Sequence, residues 1–505
     1  MRVGRGLSIA LIVSVASCSG GGGGGGSPAP GAAPGTGAPP AQPGSGGPAA
    51  TPASPAQPPQ GQWLRGDLHV HTRHSGDASS YGDNVETTIR LAESAGLDFI
   101  VISDHRQTTI LSDPQFRNTP TSLILVAGEE WGGGGHAGAH NITRDPLDHT
   151  QNSSGGVQNV SPRMDVVIDD IHSMNGFFVL NHPLDPKIFF LWDPQNFDGI
   201  EIWNTAWAYR ATTDAQEAEA RREVQDKGLT AVGLDAPPEF WAGVAAKGGG
   251  HNYQALKFWE AHLTSGKHVA AVGGGDRHFL VMPGMPTTYV FATDRSPNGI
   301  SEAVRRGRTY VTRGPDACQV DFTADRDGDG VFETIVGDSI PLANGRPIDF
   351  KIDVRDADGG KVDLIRNGQV VQTWNVSGTS FTATFTDQPQ ARSWYRLDVY
   401  EPIDLSFPNA QFVKYLVMGV PLQNLGFLGS TIQSIASRIQ WLVDTGGPLA
   451  VYMLAFGHQS GITTSPLPTA YPTFVFPEGF SRLVNIDLHD PDYCRGAITS
   501  PIWVE

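Results

Sequence analysis

The sequence predicts an α/β fold, a β/α barrel followed by an all-β sandwich, and three observations predict it. Between Gly66 and His278, short apolar runs end repeatedly in ionisable or amide residues. Helical patterns with glycine stop signals lie between those runs, the alternation of a barrel whose functional groups gather at the C-terminal strand ends. Beyond Pro315 come short, partly alternating runs separated by turn residues, as in an antiparallel sandwich.

The chain opens outside this frame. Arg2 and Arg5 precede an apolar run over 7–15, and Ala16-Ser17 lead into Cys18, the layout of a secretory signal. Val15-Ala16-Ser17-Cys18 resembles the bacterial lipobox, whose cysteine is lipidated. Residues 1–18 are therefore expected to be a lipoprotein signal peptide, and the protein to sit outside the cytoplasm, anchored to a membrane through Cys18 in the periplasm or at the cell surface. A soluble secreted protein with an incidental cysteine is the alternative. Residues 19–63 contain no charged side chain and bury too little apolar surface to offset chain entropy, so a disordered Gly/Pro/Ala-rich tether is expected there. The glycine run 20–26 follows no strand and opens no helix, so it cradles no phosphate.

Lys and Arg number 35 against 52 Asp and Glu, a net charge of −17. A field of that sign does not steer nucleic acid toward the protein, and no apolar run approaches the ~18–20 residues that span a bilayer. No nucleic-acid partner is expected, with a local basic pocket the open alternative, and a polytopic membrane fold is excluded.

The strands follow in order. Residues 66–71 place His69 and His71 on one face by the period of two. The run 99–103 is continuously apolar, as a strand covered on both faces should be, and ends at Asp104-His105. Strands over 122–127, 177–180, 200–203 and 268–272 end at Gly128-Glu129-Glu130, Asn181-His182-Pro183, Asn204 and Gly275-Asp276-Arg277-His278. Helices are expected over 84–95, 165–174, 212–226 and 252–264. Of 15 histidines, all but His458 and His489 lie between His69 and His278, as a metal pocket assembled from many loops would require. Imidazole and carboxylate ligands without thiolate suit Zn, Mn or Fe, and a water shared by close cations loses a proton near neutral pH to become a nucleophile. No Gly-x-Ser-x-Gly sequence offers a serine nucleophile.

"GDLHVHTRHSGD", "SDH", "GEEW…GAHN", "NHP" and "GGDRH", in that order, resemble the motifs of the PHP (polymerase and histidinol phosphatase) metallohydrolases. "EIWN", "PTTYV" and "GRTYVTRGP" resemble its CehA/McbA-like, carbaryl-hydrolase-like branch. The resemblance covers about 66–315. It implies a distorted seven-stranded β/α barrel over 64–314, then a β-sandwich over 315–505 with an insertion at about 402–492. It also implies two or three divalent ions (Zn, Mn or Fe), held by His69, His71, Asp77, His105, Glu130, His140, His182, Asp276 and His278, with Asp276, His278 and His182 at the catalytic centre. Asp77 stands one residue later than the family's Ser-Asp-Gly. Glu129 competes with Glu130, which the Gly-x-Glu spacing favours, and His136 competes with His140, which Asn141 favours. The implied activity is hydrolysis of a small-molecule phosphoester or carbamate/carboxyl ester. The alternative is a PHP-fold surface module that binds without turning over.

Other residues carry two readings each. His74, Arg106 and Arg277 flank metal motifs and could contact substrate, with surface salt bridging the alternative for Arg106. Asp104 and Asp67 could orient imidazoles, structural hydrogen bonding being equal for Asp67. Trp131, Trp203 and Trp207 line an aryl pocket or simply pack. His149, His172, His251, His262 and His268 are read as structural. In the C-terminal part, strands are expected over 349–354, 362–366, 370–375, 381–385, 394–400 and 497–504, and an amphipathic helix over 431–443. Asp325, Asp327 and Asp329 occupy EF-loop positions one, three and five, but Val336 stands where the bidentate Glu belongs, so Ca²⁺ and a plain hairpin turn stay open. If the strands near Cys318 and Cys494 are neighbours, as the family's sandwich implies, the two form a disulfide; two buried thiols are the alternative.

Overall fold

The computed structural model describes residues 59–76, 79, 82–132, 135–147, 149–151, 157–159, 164–183, 195–204, 251–278, 283–342, 346–402 and 493–505. Cys18 and the tether, Asp77, Trp207, the helix expected over 212–226 and residues 403–492 with the helix expected over 431–443 lie outside the described residues. The strands of the barrel part are β1 (Gln62–Val70), β2 (Phe99–Ile102), β3 (Ile124–Gly132), β4 (His136–His140), β5 (His149–Gln151), β6 (Val157–Asn159), β7 (Phe177–Leu180), β8 (Gly199–Asn204), β9 (Ala270–Gly274), β10 (Thr287–Ala292) and β11 (Thr309–Thr312). Those beyond are β12 (Gln319–Asp325), β13 (Thr334–Ile335), β14 (Ser339–Ile340), β15 (Ile348–Arg355), β16 (Lys361–Arg366), β17 (Gln369–Asn375), β18 (Ser380–Asp387), β19 (Ser393–Pro402), β20 (Tyr493–Thr499) and β21 (Ile502–Val504). The α-helices are α1 (Val85–Ser94), α2 (Pro114–Asn118), α3 (Met164–Ser173), α4 (His251–Thr264) and α5 (Pro297–Arg305).

The fold is mixed α/β. One 15-stranded sheet runs β14-β21-β19-β20-β11-β10-β1-β2-β3-β4-β7-β8-β9, with β16 pairing β19 and β17 pairing β16. From β1 to β9 it curls into a half-barrel. β1, β2 and β3 are parallel, β4 is antiparallel to both β3 and β7, and β7, β8 and β9 are parallel. Past β9, a parallel bridge joins Arg277 to Val70, and His71 N–H donates to Arg277 O at 2.8 Å, so the sheet's last strand returns to its first.

The period of two explains why the strand runs are continuously apolar. In β2, Phe99 and Val101 join a core with Leu64, Phe177, Val272 and Ile300, while Ile100 and Ile102 join another with Ile89, Ile168 and Trp259. Helix α1 begins where Asn84 Oδ1 accepts Thr87 N–H at 2.8 Å, and Gly96, at φ +72°, follows its C-cap.

Two strand expectations change in the half-barrel. The strand expected to stop at residue 127 continues to Gly132, because β4 turns back and pairs with it through a glycine-rich hairpin. The strand expected over 268–272 lies at Ala270–Gly274, and His268 instead stacks on Trp503 at 4.1 Å.

A separate four-stranded sheet, β13-β12-β15-β18, packs Val320, Phe322, Phe350 and Ile352 with Leu364, Leu397 and Val399 of the large sheet. The terminal run expected as one strand is two, β20 and β21, parted at Ser500-Pro501, where proline has no N–H to give a ladder. β11 pairs with β20, so the large sheet continues from the half-barrel into this part. Pro402 pairs with Tyr493, so the chain leaves β19 and re-enters at β20 at opposed positions.

Cys318 and Cys494 are both buried and no disulfide joins them in the structure, which matches the alternative of two buried thiols and not the expected disulfide. Glu401 gives the physical reason. Its carboxylate accepts Arg313 Nε at 2.5 Å and Cys318 N–H at 2.7 Å, and its backbone oxygen accepts the Cys494 thiol at 3.6 Å. Burial, then the Glu401 charge, push the Cys318 thiol far above its usual range.

Candidate metal centre

The site is built around one buried carboxylate. Glu130 lies in β3, and five imidazoles converge on it from other segments. Its Oε1 is 3.1 Å from His69 Nε2, 3.2 Å from His136 Nδ1 and 3.0 Å from His182 Nε2. Its Oε2 is 2.6 Å from His105 Nδ1 and 3.6 Å from His71 Nε2. Asp276 Oδ1 adds a second carboxylate, 3.5 Å from His69 Nε2 and 3.3 Å from His71 Nε2, and His278 Nε2 approaches His105 Nε2 to 3.2 Å. Four overlapping groups could each hold a cation: His71, His105 and His278; His69, His71 and Asp276; His69, Glu130 and His182; and His105, Glu130 and His136.

Topology explains the convergence. His69 and His71 end β1, where the register with β2 shifts between Asp67 and Val70. His105, His182, Asp276 and His278 follow the C-terminal ends of β2, β7 and β9. His136 opens β4, whose antiparallel direction brings its N-terminal end to the same edge. His182 and Asp276 sit at φ +26° and +47°, left-handed positions that a non-glycine residue adopts at a cost and that cluster at functional sites.

A surrounding layer fixes the rings. Glu201 Oε1 is 3.0 Å from His69 Nδ1, and its Oε2 accepts His182 N–H at 2.7 Å. Asn181 Nδ2 donates to Glu130 Oε1 at 3.1 Å. Asp104 accepts the N–H and hydroxyl groups of Thr72 and Ser75, and Ser75 Oγ lies 2.9 Å from His71 Nδ1, so Asp104 acts on His71 through Ser75. Sequence reasoning gave Asn181 and Ser75 no role and read Glu201 only as part of a motif.

Charge and burial are at odds here in the way a cation would resolve. His182 Nδ1 is buried without a hydrogen-bond partner, and His71 Nε2, Glu130 Oε2 and His136 Nδ1, though close to one another's acids and rings, make no well-directed hydrogen bond. Such orphans are expensive unless something binds them. Burial and the neighbouring charges of His278 and His105 hold His71 well below the usual imidazole range. Against burial, the charges of His136, His69 and His105 hold the Glu130 carboxyl well down. Against burial again, Glu130 lifts His182 to about 9. A nitrogen- and oxygen-rich, thiolate-free donor set fits a first-row divalent cation.

Of the nine expected ligands, His69, His71, His105, Glu130, His182, Asp276 and His278 come together, and Asp77 lies outside the described residues. His140 does not join any group, and His136 takes the place expected for it. Both share one face of β4, but register sets His136 opposite Gly132, where the chain passes from β3 to β4, and His140 opposite Gly128, further back along the hairpin. The His140 ring lies over Gly138, where a Cβ would meet its Nε2, and against Phe177 at 4.9 Å. Burial and the His69 charge push it down to about 3.

The expected substrate contacts divide. Both ring nitrogens of His74 are engaged, with Thr109 and Asp113 each at 2.8 Å, which corrects its assignment to substrate. Arg277 is buried and ion-paired with Asp83, a tie between loops rather than an open clamp. Arg106 stays at the edge of the site. Asp67 accepts N–H from His69, Gly275 and Gly284 and orients no imidazole. Trp131 packs edge-on against Phe178, and Trp203 lies in the same core, so neither lines a pocket. His172 pairs with Asp198 at 2.8 Å. Asp325, Asp327 and Asp329 do group closely enough to hold a cation, although Asp325 also accepts N–H from Asp327, Gly328 and Gly330.

No protein-family model matches the chain, and no curated protein sequence matches it. Among solved structures, it is similar to a two-domain protein of Bacteroides vulgatus containing a predicted PHP-like metal-dependent phosphoesterase, at 15% identity and a TM-score of 0.32 over 69% of this chain and 94% of that one. It is also similar to PsfC of Pseudomonas syringae, at 11% identity and 0.27 over 48% and 87%. A third is a proposed metal-dependent phosphoesterase of Bifidobacterium adolescentis, at 15% and 0.24 over 42% and 87%. At TM-scores this low the chemistry rests on the side chains themselves.

Proposed function

We propose that the chain is a metal-dependent hydrolase of the PHP type that cleaves an ester bond, a phosphoester or a carbamate/carboxyl ester, in a small molecule. The observation that carries this is Glu130, a fully buried carboxylate with four imidazole nitrogens within 3.2 Å and both oxygens turned into the group. Buried polar groups so arranged are a candidate functional site before anything else.

His69, His71, His105, Glu130, His136, His182, Asp276 and His278 would hold more than one divalent ion. Bound there, the ions would polarise the ester oxygen and activate water. The chain's own part is orientation and access. Glu201, Asn181 and the Asp104–Ser75 pair hold the ligating side chains in place. His105 and His278, 24% and 23% exposed, form the open side where an ester would approach. The "EIWN", "PTTYV" and "GRTYVTRGP" segments support the carbaryl-hydrolase-like branch, and the lipobox-like Val15–Cys18 supports an extracytoplasmic, lipid-anchored location.

The test is metal content of the purified protein, followed by hydrolysis of p-nitrophenyl phosphate and a 1-naphthyl carbamate. A metal-loaded protein inactive on broad ester panels would favour the binding-module alternative. Fatty-acid labelling lost in Cys18→Ala is the matching test of the anchor; equal labelling would remove it.

A further inference from the structure

Arg106 directly follows His105 at φ +47°, a left-handed position that a long side chain adopts at a cost. Two contacts hold it there: the bridge between His105 and Glu130, and its own N–H, which donates to Glu130 O at 3.0 Å. The turn throws its guanidinium across the β3–β4 hairpin. A Cβ built on Gly132 would lie 2.6 Å from Arg106 Nε and 3.2 Å from its Cζ. Gly132 is two residues from Glu130 on the same strand, so that point is on the face carrying the Glu130 carboxylate. Gly132 is also the register partner of His136. The guanidinium therefore sits one pleat step outward from Glu130, beside His136, and only a residue without a side chain at 132 leaves it that seat.

Among the described residues this guanidinium makes no ion pair or hydrogen bond, whereas Arg144, Arg277, Arg313 and Arg396 each hold a carboxylate. A half-buried, unpaired guanidinium at the rim of a candidate reaction centre is poised for an anion, whose two oxygens its planar fork can take together.

We propose that Arg106, seated by Gly132, selects a substrate that carries negative charge beside the scissile bond, such as a phosphomonoester, over a neutral carbamate or carboxyl ester. This rests on the hydrolase reading of the same site. A neutral carbonyl offers the fork one weaker acceptor and gives nothing back for the desolvated charge.

The experiment compares wild type, Arg106→Gln, Arg106→Lys and Gly132→Ala, with Arg144→Gln as a surface control. Inorganic phosphate binding is read by calorimetric titration, kcat/KM on p-nitrophenyl phosphate and p-nitrophenyl acetate by absorbance, and metal content in each protein. Arg106→Gln should weaken phosphate about tenfold or more and lower the phosphate-over-acetate preference by the same order, mainly through KM, at unchanged metal content. Lys should restore part of it, since charge remains but the fork is lost. Gly132→Ala, which displaces the guanidinium with the arginine still present, should follow Gln; Arg144→Gln should match wild type. Equal phosphate affinity and equal preference in wild type and Arg106→Gln would overturn the proposal. A metal-loaded wild type that hydrolyses neither ester would overturn the hydrolase reading instead, and the phosphate titration would still decide Arg106.

Discussion

Glu201 decides which nitrogen of His69 faces the metal site. Glu201 Oε1 lies 3.0 Å from Nδ1, which orients the ring so that Nε2 faces Glu130 and Asp276, 3.1 and 3.5 Å away. The other oxygen takes the backbone N–H of His182 and Asn204 Nδ2, so one carboxylate positions ligands from β1 and from the loop after β7.

Glu201→Gln should therefore keep the fold and weaken metal binding by roughly 10–100-fold. Metal occupancy measured against a competing chelator checks it. Wild-type affinity in the variant would reduce Glu201 to a packing role.

His136→Ala should lose metal and activity together, whereas His140→Ala should keep its metal stoichiometry and lose only stability, by about 1–3 kcal/mol from the vacated space. Metal analysis and a urea midpoint separate the two. The opposite pattern would restore His140 as the ligand.

How legible the site was depends on sequence distance. His69 and His71 sit two residues apart in one strand, so local periodicity was enough to pair them, whereas Asp276 and His278, past the end of β9, entered through the resemblance of the GGDRH motif. His136 was not distinguishable from His140 in that way, because both share a face of β4; hairpin register, Gly132 opposite His136, makes the choice. Glu201 and Asn181 reach their histidine and carboxylate across the sheet, over separations that no local pattern carries. The alternation of apolar runs and helices was legible because each element buries its own face. The continuity of the sheet through β11 and β20 was not, since it is a pairing between residues far apart in the chain.

His262 predicts an acid sensitivity unrelated to the metal site. It is buried edge-on between Phe197 and Phe258, with neither ring nitrogen hydrogen-bonded, and burial, then the Lys267 charge, lower it to about 3. The unfolded chain takes up this proton first, near pH 6.5, so stability is fully present above that value and drains as pH falls toward 3. The contribution at stake is at most about 5 kcal/mol. His262→Leu should flatten the fall in urea midpoint between pH 7 and 4 relative to wild type; parallel curves would contradict it.

Both thiols should be alkylated when the protein is unfolded without reductant, and neither while it is folded, because each is buried around Glu401. Mass mapping gives the count. A Cys318–Cys494 linked peptide would show that the two cysteines bridge after all.

The most direct measurement is metal content against hydrolysis in wild type and Glu130→Ala. The account predicts more than one divalent ion per wild-type chain, ester hydrolysis that disappears on chelation and returns on metal addition, and loss of both ions and activity in a still-folded Glu130→Ala. Hydrolysis that persists in metal-free protein, or a Glu130→Ala variant that keeps its full complement of metal, would contradict it.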